Sequence, residues 1–435
     1  MIGRSVKPPS SLAPAEAAVL DAIDESWLLE TLAGLIAIPS WGGRERRAQE
    51  YVAAAMGGLG MEVDIWEVDE GGLARHPDYT TEIERVDPLG VVGKVCWGDG
   101  GPTLVLNGHV DVVPPGDASR WATPPFEMVR KGGRVYGRGA VDMKGPLVAG
   151  LAGVGAVLAS GIPLRGSLLF QSVIGEEDGG LGTLASVLRG HVGDGAMVLE
   201  PTGLSVATAQ AGALNFRLTV PGRAAHGALR HQGVSALEKF MLVYRDLVGF
   251  ERERNRGVDD PRLSALSVPY PICVGTVRGG EWASTVPESI RAEGRFGVGV
   301  REDVAAARRA LEDRVAACCA RDGFLRENPA VVEWWGGQFA PCETSDNAAI
   351  VKVARGVARD LRVGCEEVVG VPYGSDLRHL VNAGGTPGVL FGPGDVSGAH
   401  RENESIAVGE LVDGARAVAL CVMRFPGELS SIEPP

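Results

Sequence analysis

Residues 103–114 read TLVLNGHVDVVP, a run of apolar residues set directly against a histidine and an aspartate two positions apart. The segment Thr103–Asn107 has the composition of a buried strand, and His109 and Asp111 follow it. The same placement recurs along the chain. Glu176 and Glu177 follow SLLFQSVIG, Glu200 follows GAMVL, and Asp142 lies where the glycine-rich GRGAVDMKG meets an apolar stretch of helical pattern. His400 closes the set in FGPGDVSGAHRENE. In an open α/β sheet, ligands bind in the crevice beyond the carboxyl ends of the strands. Polar groups presented repeatedly at such ends are expected to converge, and imidazoles with carboxylates have the chemistry of a metal-hydrolase centre.

Outward from that stretch, residues 26–37 and 46–59 read as helices and MEVDIWEV as a strand. The stretch 69–87 is polar and irregular and reads as a loop. Between Val91 and Glu200, apolar strands alternate with helical stretches, which predicts a mixed, largely parallel sheet between helices. The pattern then changes. LNFRLTVPG, a helix over 233–248, PICVGTVRGG, SIRAEGRFGVGV, the helix DVAAARRALEDRVAACCA and AVVEWWGGQ form a self-contained β-α-β-β-α-β order, that of a ferredoxin-like α+β domain. The expected organisation is therefore an α/β catalytic domain in two parts, 1–210 and 339–435, with an inserted domain over 211–338. A helix around 346–361 and the strand PGVLF complete the second part.

Composition sets the outer bounds. A chain of 435 residues, 45% of them hydrophobic, has the material for two cores. A formal charge of −13 argues against a nucleic-acid partner, which requires a basic surface. The first 24 residues hold no apolar core of secretory-signal length, and no apolar run approaches the roughly 20 residues that span a bilayer. The expectation is a cytoplasmic protein with no membrane partner. Seven cysteines form no CxxC pair and read as small apolar residues in a reducing compartment.

Each chemical signal is of low specificity alone. A metal-bound histidine usually donates its second ring N–H to a carboxylate or carbonyl, so His109 and Asp111 fit a ligand and its orienter. Asp142 reads equally as a helix N-cap. The adjacent Glu176 and Glu177 repel one another unless a cation or proton compensates, and a metal ion after so apolar a run is an attractive compensator. Carboxylate and imidazole without thiolate suit zinc, cobalt or manganese.

Taken together, the segments resemble one family. GHVDVVP, WATPPFEMVRKGGRVYGRGAVDMKG, GEEDGG, LEPT, GRAAHG, STVPESIRAEGR and FGPGDVSGAHRENE, in this order, are similar to the dinuclear zinc deacylases and peptidases. That family includes acetylornithine deacetylase, succinyl-diaminopimelate desuccinylase, aminoacylase and carboxypeptidase G. The resemblance implies that His109, Asp142 and Glu200 hold one metal and that Asp142, Glu177 and His400 hold the other, with Asp142 bridging. It implies Asp111 as the orienter of His109 and Glu176 as the general base. His226, in the inserted domain, would stabilise the oxyanion, often from the partner subunit of a homodimer, and that domain would act as lid and dimerisation module. Arg378, in YGSDLRHL, matches an arginine associated with a substrate carboxylate, with a surface salt bridge as the alternative. Arg295 matches another family arginine, with a strand-face salt bridge as its alternative.

Two positions depart from the family pattern. Relatives frequently carry Asn where Ser284 stands, which bears on substrate contacts from the inserted domain. They commonly carry an acidic residue where Gly175 stands, a change expected to affect only the turn. The loop Gly71–Asp87 matches no motif. His76 and His191 lack a ligand-like context, and no GxxxxGK[ST] appears.

The expected activity is metal-dependent removal of the acyl group from an N-acyl amino acid or related small amide. The alternatives are a carboxypeptidase or dipeptidase with the same centre, or a formamide hydrolase acting on a pyrimidine amine. A ligand-binding homologue without chemistry is disfavoured by the intact ligand set and Glu176.

Overall fold

The computed structural model describes residues 12–98 and 100–430. The expectation about a leader falls in part on residues 1–11, outside the described residues. The chain divides into two compact units. One comprises Met1–Thr208, Glu343–Val369 and Ser375–Pro435, and the other Ala209–Cys342 with Gly370–Gly374.

The first unit is an α/β layered structure. Its main sheet places Glu62–Glu67, Leu89–Cys96, Ser167–Val173, Thr103–His109, Gly195–Pro201 and Gly388–Gly392 side by side in that order. Ser167–Val173, Thr103–His109, Gly195–Pro201 and Gly388–Gly392 are joined by parallel pairings, and Glu62–Glu67 and Leu89–Cys96 add antiparallel pairings at one side. Ala207–Gln210 and Cys342–Glu343 come next in the strand order. Parallel central strands are buried on both faces, and every residue of Gly195–Pro201 is buried accordingly.

Helices cover the sheet. Lys144–Ser160 is almost wholly buried and packs closely against the C-terminal helix Val408–Ser430. Glycine and alanine along Lys144–Ser160 permit that close approach: a Cβ on Gly153 would meet the backbone of Ala415. Leu28, Leu32, Leu35, Phe170, Phe391 and Phe425 are among the fully buried side chains, each worth about 1.5–3 kcal/mol of apolar burial. The helix Pro14–Asp21 adds an element that the sequence pattern does not predict.

The second unit is a four-stranded sheet with neighbours Ile272–Gly279, Ser289–Val298, Gly212–Pro221 and Val331–Phe339, paired antiparallel throughout. In order of appearance these are the second, third, first and fourth strands, the split β-α-β-β-α-β arrangement. Leu214, Phe216, Leu218, Ile290, Ala292 and Phe296 form one face of this sheet. They pack on Phe240, Val243 and Leu247 of the helix Ala236–Arg254 and on Leu311 and Val315 of the helix Val304–Ala320.

Candidate metal centre

The parallel register aligns the ends of the central strands, and the ends carry the site. His109 is the last residue of Thr103–His109, opposite Val173. Two residues beyond Val173 begins the turn holding Glu176 and Glu177, and Glu200 lies near the end of Gly195–Pro201. Asp142 does not cap the following helix: the N-cap is Met143 and the helix starts at Lys144. Asp142 instead precedes the helix, and its carboxylate faces the histidines.

The distances show why. His109 Nε2 stands 3.1 Å from Asp142 Oδ1 and 3.9 Å from Glu200 Oε1. His400 Nε2 stands 3.2 Å from Asp142 Oδ2 and 3.1 Å from Glu177 Oε2. Asp142 thus turns one oxygen to each imidazole. Among the described residues, two groups offer ligand atoms within 4.8 Å of one another: His109, Glu176 and Glu200, and His109, Asp142 and Glu177. Glu176 therefore also lies within 4.8 Å of His109, close enough to share an ion with it.

His109 Nδ1 lies 2.9 Å from the main-chain carbonyl of Asp111 and 3.6 Å from its carboxylate. A carbonyl only accepts, so Nδ1 carries the proton. Asp111 orients His109 through its backbone, while its carboxylate accepts the Glu177 N–H at 3.0 Å. With Nδ1 protonated, a neutral His109 would turn the lone pair of Nε2 toward two carboxylates, a repulsive contact unless something positive lies between them.

The donor set fits a divalent cation there. Metal–ligand bonds of about 2.0–2.2 Å place two ligands of a tetrahedral site about 3.3–3.6 Å apart, and the separations of 3.1, 3.9, 3.2 and 3.1 Å here fall within a few tenths of an ångström on either side of that range. Among the described residues, buried Glu177 Oε1 and Asp111 Oδ1 find no hydrogen-bond partner. Burial and the neighbouring Glu200 hold the Glu176 carboxyl well above the usual range. Burial and Asp142 raise Glu177 and push Glu200 up to about 8. The Glu177 and Asp142 carboxylates push His400 up to about 11. These shifts express crowded negative charge, which a bound cation relieves.

The chain matches the model of the peptidase family M20/M25/M40 over residues 105–424. It belongs to that family. Members of this M20 family of metallopeptidases bind divalent metals, in keeping with the clustered donors. The chain is 28% identical over 415 residues to N-formyl-4-amino-5-aminomethyl-2-methylpyrimidine deformylase of Halalkalibacterium halodurans, covering 88% of this chain and 91% of the relative. It is 34% identical over 245 residues to succinyl-diaminopimelate desuccinylase of Gluconacetobacter diazotrophicus, covering 54% and 59%. The fold is also that of a Saccharomyces cerevisiae dipeptidase, with a TM-score of 0.74 at 16% identity, covering 95% of this chain and 98% of that one.

The remaining candidate residues of this M20 chain fall in two places. Arg378 is buried in the first unit, and its Nη2 donates to Gly179 O at 2.6 Å, so it is not a surface salt bridge. His226, Ser284 and Arg295 belong to the second unit. His226 is exposed and its Nδ1 accepts the Ala228 N–H at 3.1 Å. That bond leaves Nε2 as the ring's donor. Ser284 is exposed, and its carbonyl accepts the Gly227 N–H at 2.6 Å. Arg295 donates to Pro372 O at 2.5 Å rather than forming a strand-face salt bridge.

Several residues that support the site stand in or beside the quoted segments without being singled out there. Glu404 is fully buried, pairs with Arg138 at 2.7 Å, and accepts the N–H groups of Val141 at 2.8 Å and Asp142 at 3.1 Å. Lys144 donates to the carbonyls of Leu35 and Ile38 at 3.0 and 2.7 Å, and burial pushes it down to about 7. Asp376 accepts the Thr183 hydroxyl at 2.6 Å, and Thr183 accepts Asn107 Nδ2 at 2.8 Å. Burial pushes Asp376 up to about 6. His191 proves structural, with Nε2 2.9 Å from Asp64. Gly175 does more than shape its turn, because the guanidinium of Arg85 packs against it. Among the described residues, no helix is long and apolar enough to cross a membrane.

Proposed function

We propose that the chain hydrolyses a small linear amide, releasing an amine from an N-acyl amino acid or a related compound. Two divalent ions, zinc foremost with cobalt or manganese as alternatives, would be held by His109, Asp142 and Glu200 and by Asp142, Glu177 and His400. The observation that carries this reading is the Asp142 carboxylate set between two imidazoles, 3.1 and 3.2 Å away, with Glu176 buried beside them. When bound, such ions supply Lewis acidity and make water nucleophilic at neutral pH.

The chain's own residues supply the rest. Glu176 takes a proton from the attacking water and returns it to the leaving nitrogen. Asp111 holds His109 by its carbonyl and the Glu176–Glu177 turn by its carboxylate. His226, with its proton on Nε2, is the donor for the oxyanion. Arg378 is the partner for a substrate carboxylate, and Arg295 and Ser284 are further substrate contacts.

The inserted domain, residues 211–338, would serve as lid and dimerisation module. Exposed Leu237, Met241 and Tyr244 recur at helical spacing on Ala236–Arg254, an apolar stripe that a second copy of the chain would cover. The cytoplasm is the proposed compartment.

A formamide substrate is the second reading, supported by the match to a deformylase over nearly the full length of both chains. Amine release from N-acyl amino acids, dipeptides and formamides by zinc-loaded protein, with Glu176→Gln as the blank, tests both. Turnover of N-acyl amino acids supports the deacylase, turnover of formamides alone supports the second reading, and hydrolysis of dipeptides alone contradicts both.

A further inference from the structure

Beneath the turn that carries Glu176 and Glu177 lies a buried cation supplied by the loop 69–87. The Arg85 side chain is 1% exposed. Its Nη2 bonds Asp178 Oδ1, and its Nη1 reaches Asp178 Oδ2 at 3.2 Å, a two-pronged grip on one carboxylate. Its Nε stands 3.4 Å from Glu45 Oε1, also buried. Asp178 Oδ2 accepts in addition the Thr81 hydroxyl at 2.8 Å and the N–H groups of Glu82 and Ile83 at 3.0 Å each. A single carboxylate thus fastens the loop to the turn, one residue beyond Glu177.

The turn is shaped to admit the guanidinium. A Cβ on Gly175 would stand 2.8 Å from Arg85 Nη2 and 2.9 Å from its Cζ, and Gly175 adopts φ +69°. A side-chain tip can usually retreat from such a contact. This one is held by Asp178 on one edge and by Glu45 on another. Gly179, on the far side of the turn, likewise has no room for a Cβ against Thr80 O. The turn is therefore clamped between the strand that precedes it and the loop.

We propose that Arg85 is a positioning residue for the metal centre, an internal cation that sets the place of the Glu176–Glu177 turn, with Gly175 as the space that receives it. The proposal rests on the roles given above to Glu176 and Glu177. It also gives the loop a function: the loop delivers positive charge between Glu45 and Asp178, which would otherwise be buried acids without a cation.

The test is zinc affinity of the metal-stripped protein, measured with zinc alone in competition with a chelator, on Arg85→Gln, Arg85→Lys and Asp178→Asn. Residues that orient metal ligands typically contribute 10–100-fold in affinity. Arg85→Gln and Asp178→Asn are expected to weaken zinc binding at the Asp142, Glu177 and His400 site by that factor, and Arg85→Lys to recover most of it. A residue that only held the fold would lower the thermal midpoint while zinc affinity of the folded protein stayed within about twofold, and that result overturns the proposal. If Arg85→Gln does not fold, Asp178→Asn decides, since it loosens the grip on the guanidinium with an isosteric side chain and no change of backbone preference. Unchanged affinity there overturns the proposal, and weakened affinity supports it. Glu177→Gln separates the two layers: normal binding of both ions in that variant overturns the ligand assignment, and this proposal with it.

Discussion

Replacing Glu404 with alanine removes one carboxylate from three partners at once. Its ion pair with Arg138 spans 2.7 Å, with the two side chains 0% and 3% exposed. Breaking a buried pair and leaving one charge behind costs about 3–5 kcal/mol. The N–H groups of Val141 and Asp142 lose their acceptor in the same change. These losses share one site and do not simply add, so about 3–5 kcal/mol is the expected total. That corresponds to a folded-to-unfolded ratio lower by roughly 10²- to 10³-fold or more. Urea unfolding followed by far-ultraviolet circular dichroism reads it, with Glu25→Ala as the reference. The Arg130–Glu25 pair is 56% and 49% exposed, and such pairs contribute about 0–1 kcal/mol. Glu404→Gln should recover part of the loss, because its amide oxygen still accepts the two N–H groups. A Glu404→Ala protein no less stable than Glu25→Ala would refute the reasoning.

His379 is buried and held neutral, its pKa well below the usual histidine value because of burial and the adjacent Arg378. A depressed folded value means stability that is present above the unfolded value of about 6.5 and lost as pH falls through it. His379→Gln should therefore show a smaller drop in thermal midpoint between pH 7 and pH 5 than the parent, and an equal drop would count against it. Arg378→Met should raise KM at least tenfold for N-acyl amino acids and leave KM for neutral formamides unchanged; equal effects on both would remove the carboxylate-anchor role. His226→Phe should lower kcat by about 10²–10³-fold, the usual worth of one oxyanion donor, with KM little altered, and unchanged kcat would exclude the role.

The candidate residues could be picked out because they stand next to strand ends, where local pattern and chemistry coincide. His109 ends a run that reads as a buried strand, Glu176 and Glu177 follow another, and Glu200 lies one residue from the end of a third. The second unit was legible for a related reason: alternating strands such as Gly212–Pro221 show their buried face directly. What escaped was long-range partnership. Arg85 and Asp178 are 93 positions apart, and Arg138 and Glu404 are 266 apart. A buried charge in a paired network has the same letter as a charge in water, so nothing local separated Arg85 from the other polar residues of its loop. Asp142 shows a further limit, since an aspartate before a helix suggests a cap until its backbone is known.

The account's central claim is that five residues bind metal while Glu176 handles the proton. Because Glu176 lies within ligand distance of His109 and Glu200, its neighbours do not separate the two roles. The measurement that does is the zinc content of Glu176→Gln beside the parent after dialysis against dilute zinc. Two zinc ions per chain in both proteins is the predicted result, and loss of an ion from the variant would make Glu176 a ligand and contradict the assignment.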